Sequence, residues 1–83
     1  YMEVKKIFGG RLRQLRNSQS VSQMQLANAL GLTQNAIGMM ERGYRGTTIE
    51  KLALLAEYFH VSADYLLGIT DDPTWRGGPE GTA

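Results

Sequence analysis

Apolar side chains recur every three or four positions through most of this 83-residue chain, and this spacing limits its fold more than any other feature. The first such stripe consists of Val4, Ile7, Phe8, Leu12 and Leu15. A period near 3.6 residues places a stripe on one side of an α-helix, whereas a half-buried strand needs a period of two. The sequence shows no sustained two-residue alternation. The pattern therefore predicts an all-α fold with no sheet.

Start and stop residues divide the pattern into five helices. Ser22 and Gln25 have the spacing of a capping box, in which two side chains satisfy N–H groups at a helix start. The same spacing recurs at Thr47 and Glu50. Further N-caps are expected at Thr33 and Ser62, and terminating glycines at Gly31, Gly43 and Gly68. The chain is therefore expected to form a five-helix bundle.

The same spacing gives each later helix an inner face. The expected inner residues are Leu26, Ala27 and Leu30 in the second helix, Ala36, Ile37 and Met40 in the third, Ile49, Leu52, Ala53, Ala56 and Phe59 in the fourth, and Ala63, Tyr65, Leu66 and Leu67 in the fifth. We expect these faces to meet in one core.

Length and composition exclude several classes of function. A chain of 83 residues allows one domain, since domains usually have roughly 100 residues. It has no cysteine and one histidine, so we expect no disulfide, metal site, cofactor or nucleophilic triad. No apolar run approaches the roughly 18–20 residues of a membrane span, and no signal-peptide pattern opens the chain. We therefore expect a cytoplasmic protein with no membrane association.

Composition changes near residue 70. Both prolines lie in the last eleven residues, together with three glycines, and Trp75 is nearly the sole apolar residue after position 70. Such a segment favours a flexible chain over a packed one. The sequence therefore predicts a folded domain over residues 3–70 and a flexible tail or truncated linker over 71–83.

Charge is divided unevenly along the chain. Residues 1–45 carry seven basic and two acidic side chains, a balance of +5, whereas residues 46–83 carry two basic and six acidic ones, a balance of −4. A localised basic surface indicates a polyanionic partner such as nucleic acid. Lys5, Lys6 and Arg13 are interpreted as a solvated face, with distant phosphate contacts as the alternative.

The second and third predicted helices are separated by only Gly31 and Leu32. So short a turn with a glycine fixes two helices at a steep angle, as in a helix-turn-helix motif. Such a unit can hold its second helix clear of the body, where it fits the DNA major groove, about 12 Å wide.

Residues 22–43, with the sequence SQMQLANALGLTQNAIGMMERG, resemble the Cro/repressor-like (Xre-type) helix-turn-helix family. Residues 11–16 are similar to the first helix of that family, and residues 52–68 to its last two. The positions that carry the resemblance include Ala27, Gly31, Ile37, Glu41 and Gly43. The resemblance implies a lambda-repressor-like five-helix domain that binds operator DNA, commonly as a two-fold dimer.

The resemblance also assigns the site. The expected DNA-binding residues are Gln23, Thr33, Gln34, Asn35, Gly38, Met39, Arg42, Tyr44 and Arg45. Of these, Gln23 matches a phosphate contact at the start of the second helix. Arg16 and Glu41 match an ion pair that joins the first helix to the end of the third.

The chemistry of these residues agrees with such roles. An amide such as that of Gln34 or Asn35 can pair with both N6 and N7 of adenine, a match worth about 1–3 kcal/mol of discrimination. Arg42 and Arg45 can neutralise phosphates. Gly38 departs from the family pattern and costs about 1 kcal/mol relative to alanine within a helix; we interpret it as permitting close approach to DNA.

Met39 also departs from the family pattern, and we interpret it as packing on a thymine methyl. Its alternative is a protein contact. In that second hypothesis the bundle is an interaction module, such as an antitoxin or anti-repressor partner, that uses Met39, Met40 and the Tyr65–Ile69 patch.

An apolar group near the end of the chain consists of Tyr65, Leu66, Leu67, Ile69 and Trp75. It offers more apolar surface than one short helix can hide, so we expect a homodimer interface there, with coverage of the chain's own core as the alternative. An enzyme would need paired acid and base groups in a cleft, which the sequence does not offer. We therefore expect a non-enzymatic repressor that binds a palindromic operator as a dimer.

Overall fold

The computed structural model describes residues 3–76. Its five helices are α1 (Val4–Ser18), α2 (Gln23–Leu30), α3 (Gln34–Glu41), α4 (Ile49–Phe59) and α5 (Ala63–Leu67). Within this range the structure contains no strand, and an isolated antiparallel bridge joins Val61 to Thr74. The predicted all-α, five-helix fold is confirmed. No helix in the described part is long and apolar enough to cross a membrane.

Side-chain caps begin the helices where the sequence predicts them in three cases. The Ser22 hydroxyl accepts from the Gln25 N–H at 3.0 Å, and the Gln25 side chain accepts from the Ser22 N–H at 2.8 Å. Single caps begin the other two helices at Thr33, before α3, and at Ser62, before α5. Each cap satisfies an N–H that has no partner within its helix and is worth about 1 kcal/mol.

The start of α4 differs from the prediction by one residue. The cap is Thr48, whose hydroxyl accepts from the Lys51 N–H at 3.1 Å, and not Thr47. Two adjacent threonines offer the same chemistry, so local sequence does not decide between them. The residue three positions after Thr48 is a lysine, which cannot accept a hydrogen bond, so the predicted capping box is absent here.

The buried side of α4 also differs from the prediction. Ile49 is 83% exposed and Ala53 is exposed, whereas Leu55 is fully buried. The buried arc comprises Leu55, Ala56 and Phe59, with Leu52 beside it. The first turn of α4 extends beyond the core, so none of the described helices covers the apolar side chain of Ile49.

One hydrophobic core lies at the centre of the bundle. Helix α1 packs on α3 and α5, and α2 packs on α3. The core consists of Phe8, Leu12, Leu26, Ala27, Leu30, Ile37, Met40, Leu55, Ala56, Phe59, Val61 and Leu66. The predicted inner faces of α2 and α3 are confirmed. Ile7, by contrast, is partly exposed at the edge of α1.

Gly9 allows α1 and α3 to approach each other closely. A Cβ at this position would lie 2.3 Å from the carbonyl oxygen of Met40 and 2.7 Å from that of Glu41. Both neighbours are backbone atoms and cannot move independently. A Cβ at Gly10, in contrast, would meet no described atom within 4 Å. The first of these adjacent glycines therefore has a packing role that the second lacks.

Residues 71–76, which the sequence assigned to a flexible tail, lie against the bundle. Thr74 forms the bridge with Val61, and Trp75 packs against the core. Backbone pairing and one large aromatic side chain thus give this polar segment contacts that its composition did not indicate. Residues 77–83, the rest of the predicted tail, lie outside the described residues.

Arg11 joins α1 to the chain that follows α5. Its guanidinium donates to the carbonyl oxygens of Tyr65 and Thr70 and, at 2.6 Å, to the Asp71 carboxylate. It also lies 4.2 Å from the centre of the Tyr65 ring. The Arg11 guanidinium thus contacts three acceptor groups and one aromatic ring.

Asp72 stabilises the turn that leads to Thr74. The Asp72 carboxylate accepts from the Thr74 hydroxyl at 2.6 Å and from the Thr74 N–H at 3.1 Å. These bonds, the hydroxyl one first, lower the pKa of Asp72. A lowered pKa means that the stabilisation is present above the ordinary carboxyl pKa and is lost as the pH falls through the lowered one.

Replacing Gly9 by alanine should destabilise the protein by about 1–3 kcal/mol, because the added methyl overlaps the backbone of α3. Gly10→Ala is the matched control and should stabilise the protein by up to about 1 kcal/mol through better helix propensity. Urea unfolding followed by circular dichroism measures both. Equal effects of the two substitutions would contradict the packing role of Gly9.

Candidate nucleic-acid interface

A tight turn joins α2 to α3. Gly31 ends α2 with a φ of +69°, and the Leu32 N–H donates to the Ala27 carbonyl at 2.9 Å. Glycine adopts this left-handed conformation without the cost that a Cβ imposes. Thr33 then caps α3, so two helices that are nearly consecutive in sequence meet at a fixed angle.

Helix α3 has one buried side and one accessible side. Its inner residues Ala36, Ile37 and Met40 are buried, whereas Gln34 and Asn35 are exposed. Further along the outer side, Gly38 and Met39 are half-buried and Arg42 is exposed. The outer side is therefore accessible in the described part of the chain.

A polar cleft of about 480 Å³ borders this outer side. Its lining consists of Arg13, Arg16, Gln23, Gln34, Asn35, Gly38, Glu41 and Arg42. Three arginines against one glutamate make the cleft positive. The sequence placed Arg13 on a solvated face, because its position on α1 alone gave no sign that it would face α3.

The Arg16–Glu41 pair anchors one end of the cleft. Nε of Arg16 lies 2.6 Å from Oε2 of Glu41, and Nη2 lies 3.1 Å from Oε1, so the contact is bidentate. The two side chains are 13% and 4% exposed. A third donor of Arg16 bonds the Val21 carbonyl at 3.0 Å. The hydrogen bond to Glu41 raises the pKa of Arg16 against the opposing effect of burial.

Gln23 extends this pair to the first residue of α3. Its side-chain nitrogen donates to Oε1 of Glu41 at 3.1 Å, and its side-chain oxygen accepts from the Gln34 amide at 3.4 Å. A line of hydrogen bonds therefore runs from Arg16 through Glu41 and Gln23 to Gln34. The family resemblance implies a phosphate contact for Gln23 but does not indicate this bonding, which depends on how three helices meet.

Two of the remaining expected site residues are also restrained. The Thr33 hydroxyl accepts from the Ala36 N–H at 3.1 Å, so its oxygen is used in capping α3. The Asn35 amide lies 3.8 Å from the sulfur of Met39, one turn further along the helix. These contacts restrict the rotamers of the outer side chains.

The chain leaves α3 through an exposed basic and aromatic segment. Tyr44 is 68% exposed, and the Arg42 guanidinium lies 5.4 Å from the centre of its ring. Arg45 is exposed next to it. Arg42, Tyr44 and Arg45 thus continue the surface that begins at Gln34.

A methyl group would fit at Gly38 without overlap. A Cβ at this position would lie 3.7 Å from the Gln23 amide nitrogen and 3.8 Å from a guanidinium nitrogen of Arg42, which are ordinary contact distances. Packing among the described residues therefore does not require a glycine in the middle of α3.

The expected dimer residues do not form one exposed patch. Leu66 is fully buried in the core, so its place in that set is wrong: α5 turns this side chain inward. Tyr65 lies under Arg11 and Trp75 packs on the core, while Leu67 is half-buried. Ile69, 62% exposed, is the most accessible member.

These features define a helix-turn-helix unit with an accessible second helix, and comparison with known proteins agrees. Residues 12–66 match the protein family described as helix-turn-helix. The chain belongs to this family, in its Xre-type form.

Two relatives illustrate the range of sequence similarity. The chain is 41% identical over 63 residues to the HTH-type transcriptional regulator YobD of Bacillus subtilis (strain 168), which covers 76% of this chain and 56% of YobD. It is 37% identical over 67 residues to the control protein C.SmaI of Serratia marcescens, which covers 81% of this chain and 80% of that protein. The chain thus spans little more than half the length of YobD.

Solved structures share the fold. The restriction-modification controller protein C.AhdI from Aeromonas hydrophila matches with a TM-score of 0.67 and 34% identity, over 75% of this chain and 94% of that one. The P22 c2 repressor, solved in complex with a synthetic operator, matches with a TM-score of 0.69 and 32% identity, over 72% and 91%. The predicted repressor-like fold class is confirmed.

Replacing Glu41 by alanine should destabilise the protein by about 3 kcal/mol or more, because it leaves the buried Arg16 charge without its partner. The exposed pair Asp72–Arg76, with an N–O distance of 3.6 Å, provides the control. Arg76→Ala should change the free energy of unfolding by less than about 1 kcal/mol. Chemical denaturation of both variants tests this difference, and comparable losses would contradict it.

Proposed function

We propose that this chain is the DNA-binding domain of a sequence-specific transcriptional regulator, which reads base edges with the outer side of α3. The accessible polar side of α3 lies beside a cleft with three arginines, and this arrangement is the main support for the proposal. A helix presented in this way fits the major groove, where each base pair has a distinct pattern of donors and acceptors.

In this proposal, phosphate contacts flank α3 on both sides. Arg42 and Arg45 contact the backbone where the chain leaves the groove. Arg13 and the first turn of α2, with Gln23, contact it on the opposite side, where N–H groups at a helix start also attract phosphate oxygens. Such contacts set the orientation of the protein on the duplex and carry no sequence information.

Base recognition falls to Gln34, Asn35 and Met39. Gln34 donates one N–H to Gln23, which restrains its side chain before DNA arrives. Such restraint reduces the conformational entropy lost on binding. The oxygen and the second N–H of Gln34 then pair with an adenine, while Met39 packs on a thymine methyl.

We further propose that two copies bind a palindromic operator, with half-sites about 34 Å apart. One copy offers few base contacts for a specific affinity of about 10⁻⁸–10⁻¹¹ M. Ile69 and Ile7 supply exposed apolar surface for the pairing. A dimer on a promoter would exclude polymerase and so repress transcription, without any catalytic step. We place this regulator in the bacterial cytoplasm, encoded by a bacterium or by a phage.

The competing idea of a protein-interaction module has less support. It relied on Met39, Met40 and the Tyr65–Ile69 patch, and of these Met40 and Leu66 are fully buried, while Ile69 is exposed. Met39 remains half-buried on the outer side of α3, where a DNA contact accounts for it equally well.

Selection from a random DNA pool tests the proposed function directly. The recovered duplexes should contain two symmetric half-sites separated by one helical turn, and binding should weaken as salt rises because phosphates are neutralised. Failure to enrich any sequence, or binding that ignores salt, would contradict the proposal.

Two variants separate base contacts from phosphate contacts on the selected duplex. Gln34→Ala should relax base preference by roughly fivefold or more at one position, the value of one bidentate pair. Arg45→Ala should weaken binding to all sequences alike and reduce the salt slope by about 0.9, the value of one phosphate. Fluorescence anisotropy at several salt concentrations measures both. An equal loss of discrimination in the two variants would contradict the assigned roles.

Gly38→Ala should raise stability and weaken DNA binding together. Alanine stabilises a helix interior by about 1 kcal/mol relative to glycine, and the site has room for the methyl. In the complex, however, the methyl would separate α3 from the bases. Gly10→Ala, which gives a similar gain at a position on α1 that meets no described atom within 4 Å, should bind DNA as the wild type does. Wild-type affinity in Gly38→Ala would show that the glycine has no role in close approach.

A further inference from the structure

Lys51 connects α4 to the turn of the helix-turn-helix. Its ammonium donates to the Leu30 carbonyl at 2.6 Å, and the residue is half-buried. The ammonium nitrogen would also lie 3.9 Å from a Cβ at Gly31. Lys51 is ten residues beyond α3 in the chain, yet it bonds the residue at which α2 ends.

The Leu30 carbonyl has no hydrogen-bond donor within α2. The last four carbonyls of a helix have no acceptor role within it, and the turn satisfies two of them in α2. The Gly31 N–H bonds the Ala27 and Asn28 carbonyls, and the Leu32 N–H bonds the Ala27 carbonyl. Leu30 is satisfied by Lys51, whose positive charge also suits the negative end of the helix dipole.

This bond restrains the peptide plane at which the chain changes direction. The Leu30 carbonyl and the Gly31 N–H belong to one rigid peptide unit. The Gly31 N–H is shared between the Ala27 carbonyl and the Asn28 carbonyl, the latter at 3.4 Å, and glycine itself allows wide rotation. The short bond from Lys51 holds the other end and therefore limits how that plane turns.

We propose that Lys51 is a positioning residue for DNA recognition. It sets the direction in which the chain leaves α2, and so the register of Gln34 and Asn35 against base edges, without touching DNA. The core residues Ile37 and Met40 still hold α3 in the bundle, so the effect is on register and not on the fold. This inference rests on the proposed function.

Three variants test it. Lys51→Met keeps the stem and removes the donors, Lys51→Arg retains charge and donors, and Arg76→Ala is a matched loss of one charge elsewhere. The probes are the duplex selected with the wild-type chain and a random-sequence duplex of equal length. Circular dichroism at the assay temperature reports folding.

Lys51→Met should lose roughly fivefold or more in affinity for the selected duplex, comparable to one base contact, yet bind the random duplex within about twofold of wild type. Its salt slope should equal that of the wild type, because no phosphate contact is lost. Lys51→Arg should recover most of the affinity, and Arg76→Ala should keep the wild-type preference. In the absence of DNA, the Leu32 amide hydrogen should exchange faster in Lys51→Met than in wild type.

Several outcomes would overturn the inference. Wild-type discrimination in Lys51→Met would refute it, and so would a variant that does not fold, since the role would then be structural. Equal loss on both duplexes with a shallower salt slope would identify a direct phosphate contact instead. If the wild-type chain itself shows no preferred duplex, the proposed function fails first.

Discussion

The buried pair of Arg16 and Glu41 is the interaction on which the geometry of the site depends. It connects α1 to the end of α3, and through Gln23 it also reaches the start of α2. A buried ion pair is costly to desolvate and is weak evidence of stability. Its contribution here is directional: a bidentate contact with a further hydrogen bond on each side allows one arrangement of three helices.

Gly9 complements this pair at the same crossing. The absence of a side chain lets α1 approach the carbonyl oxygens of Met40 and Glu41, close to where Arg16 reaches the Glu41 carboxylate. Apolar packing holds the inner side of α3, and polar contacts hold its end. The outer side can then vary in sequence with little effect on the fold, which is the freedom that a recognition helix needs. Gly38 illustrates it: a glycine that packing does not require is tolerated in mid-helix.

The helices could be predicted because their boundaries depend on local chemistry. Ser22, Thr33 and Ser62 cap helices within three residues of themselves, and Gly31 and Gly68 end helices with positive φ values. Prediction failed where two neighbours offered equal chemistry, as with Thr47 and Thr48. It also failed where burial depends on distant elements. Spacing alone could not show that Ile49 lies beyond the core or that Trp75 packs on it.

The outer residues of α3 could also be identified from the sequence, because the turn and the helical period fix which side faces out. The contacts between helices could not be predicted from the sequence. Arg13 borders the cleft, Gln23 bonds Glu41 and Gln34, and Lys51 bonds the Leu30 carbonyl. Each contact joins residues that are far apart in the chain, so no local sequence pattern indicates it.

In the proposed complex, the accessible side of α3 meets the duplex. Nuclear magnetic resonance of the ¹⁵N-labelled chain during titration with the selected duplex measures this residue by residue. Amide signals of residues 34–45 and of the first turn of α2 should shift most, with α4 and α5 little changed away from any dimer contact. Shifts concentrated on α4, with α3 unaffected, would contradict DNA binding by α3.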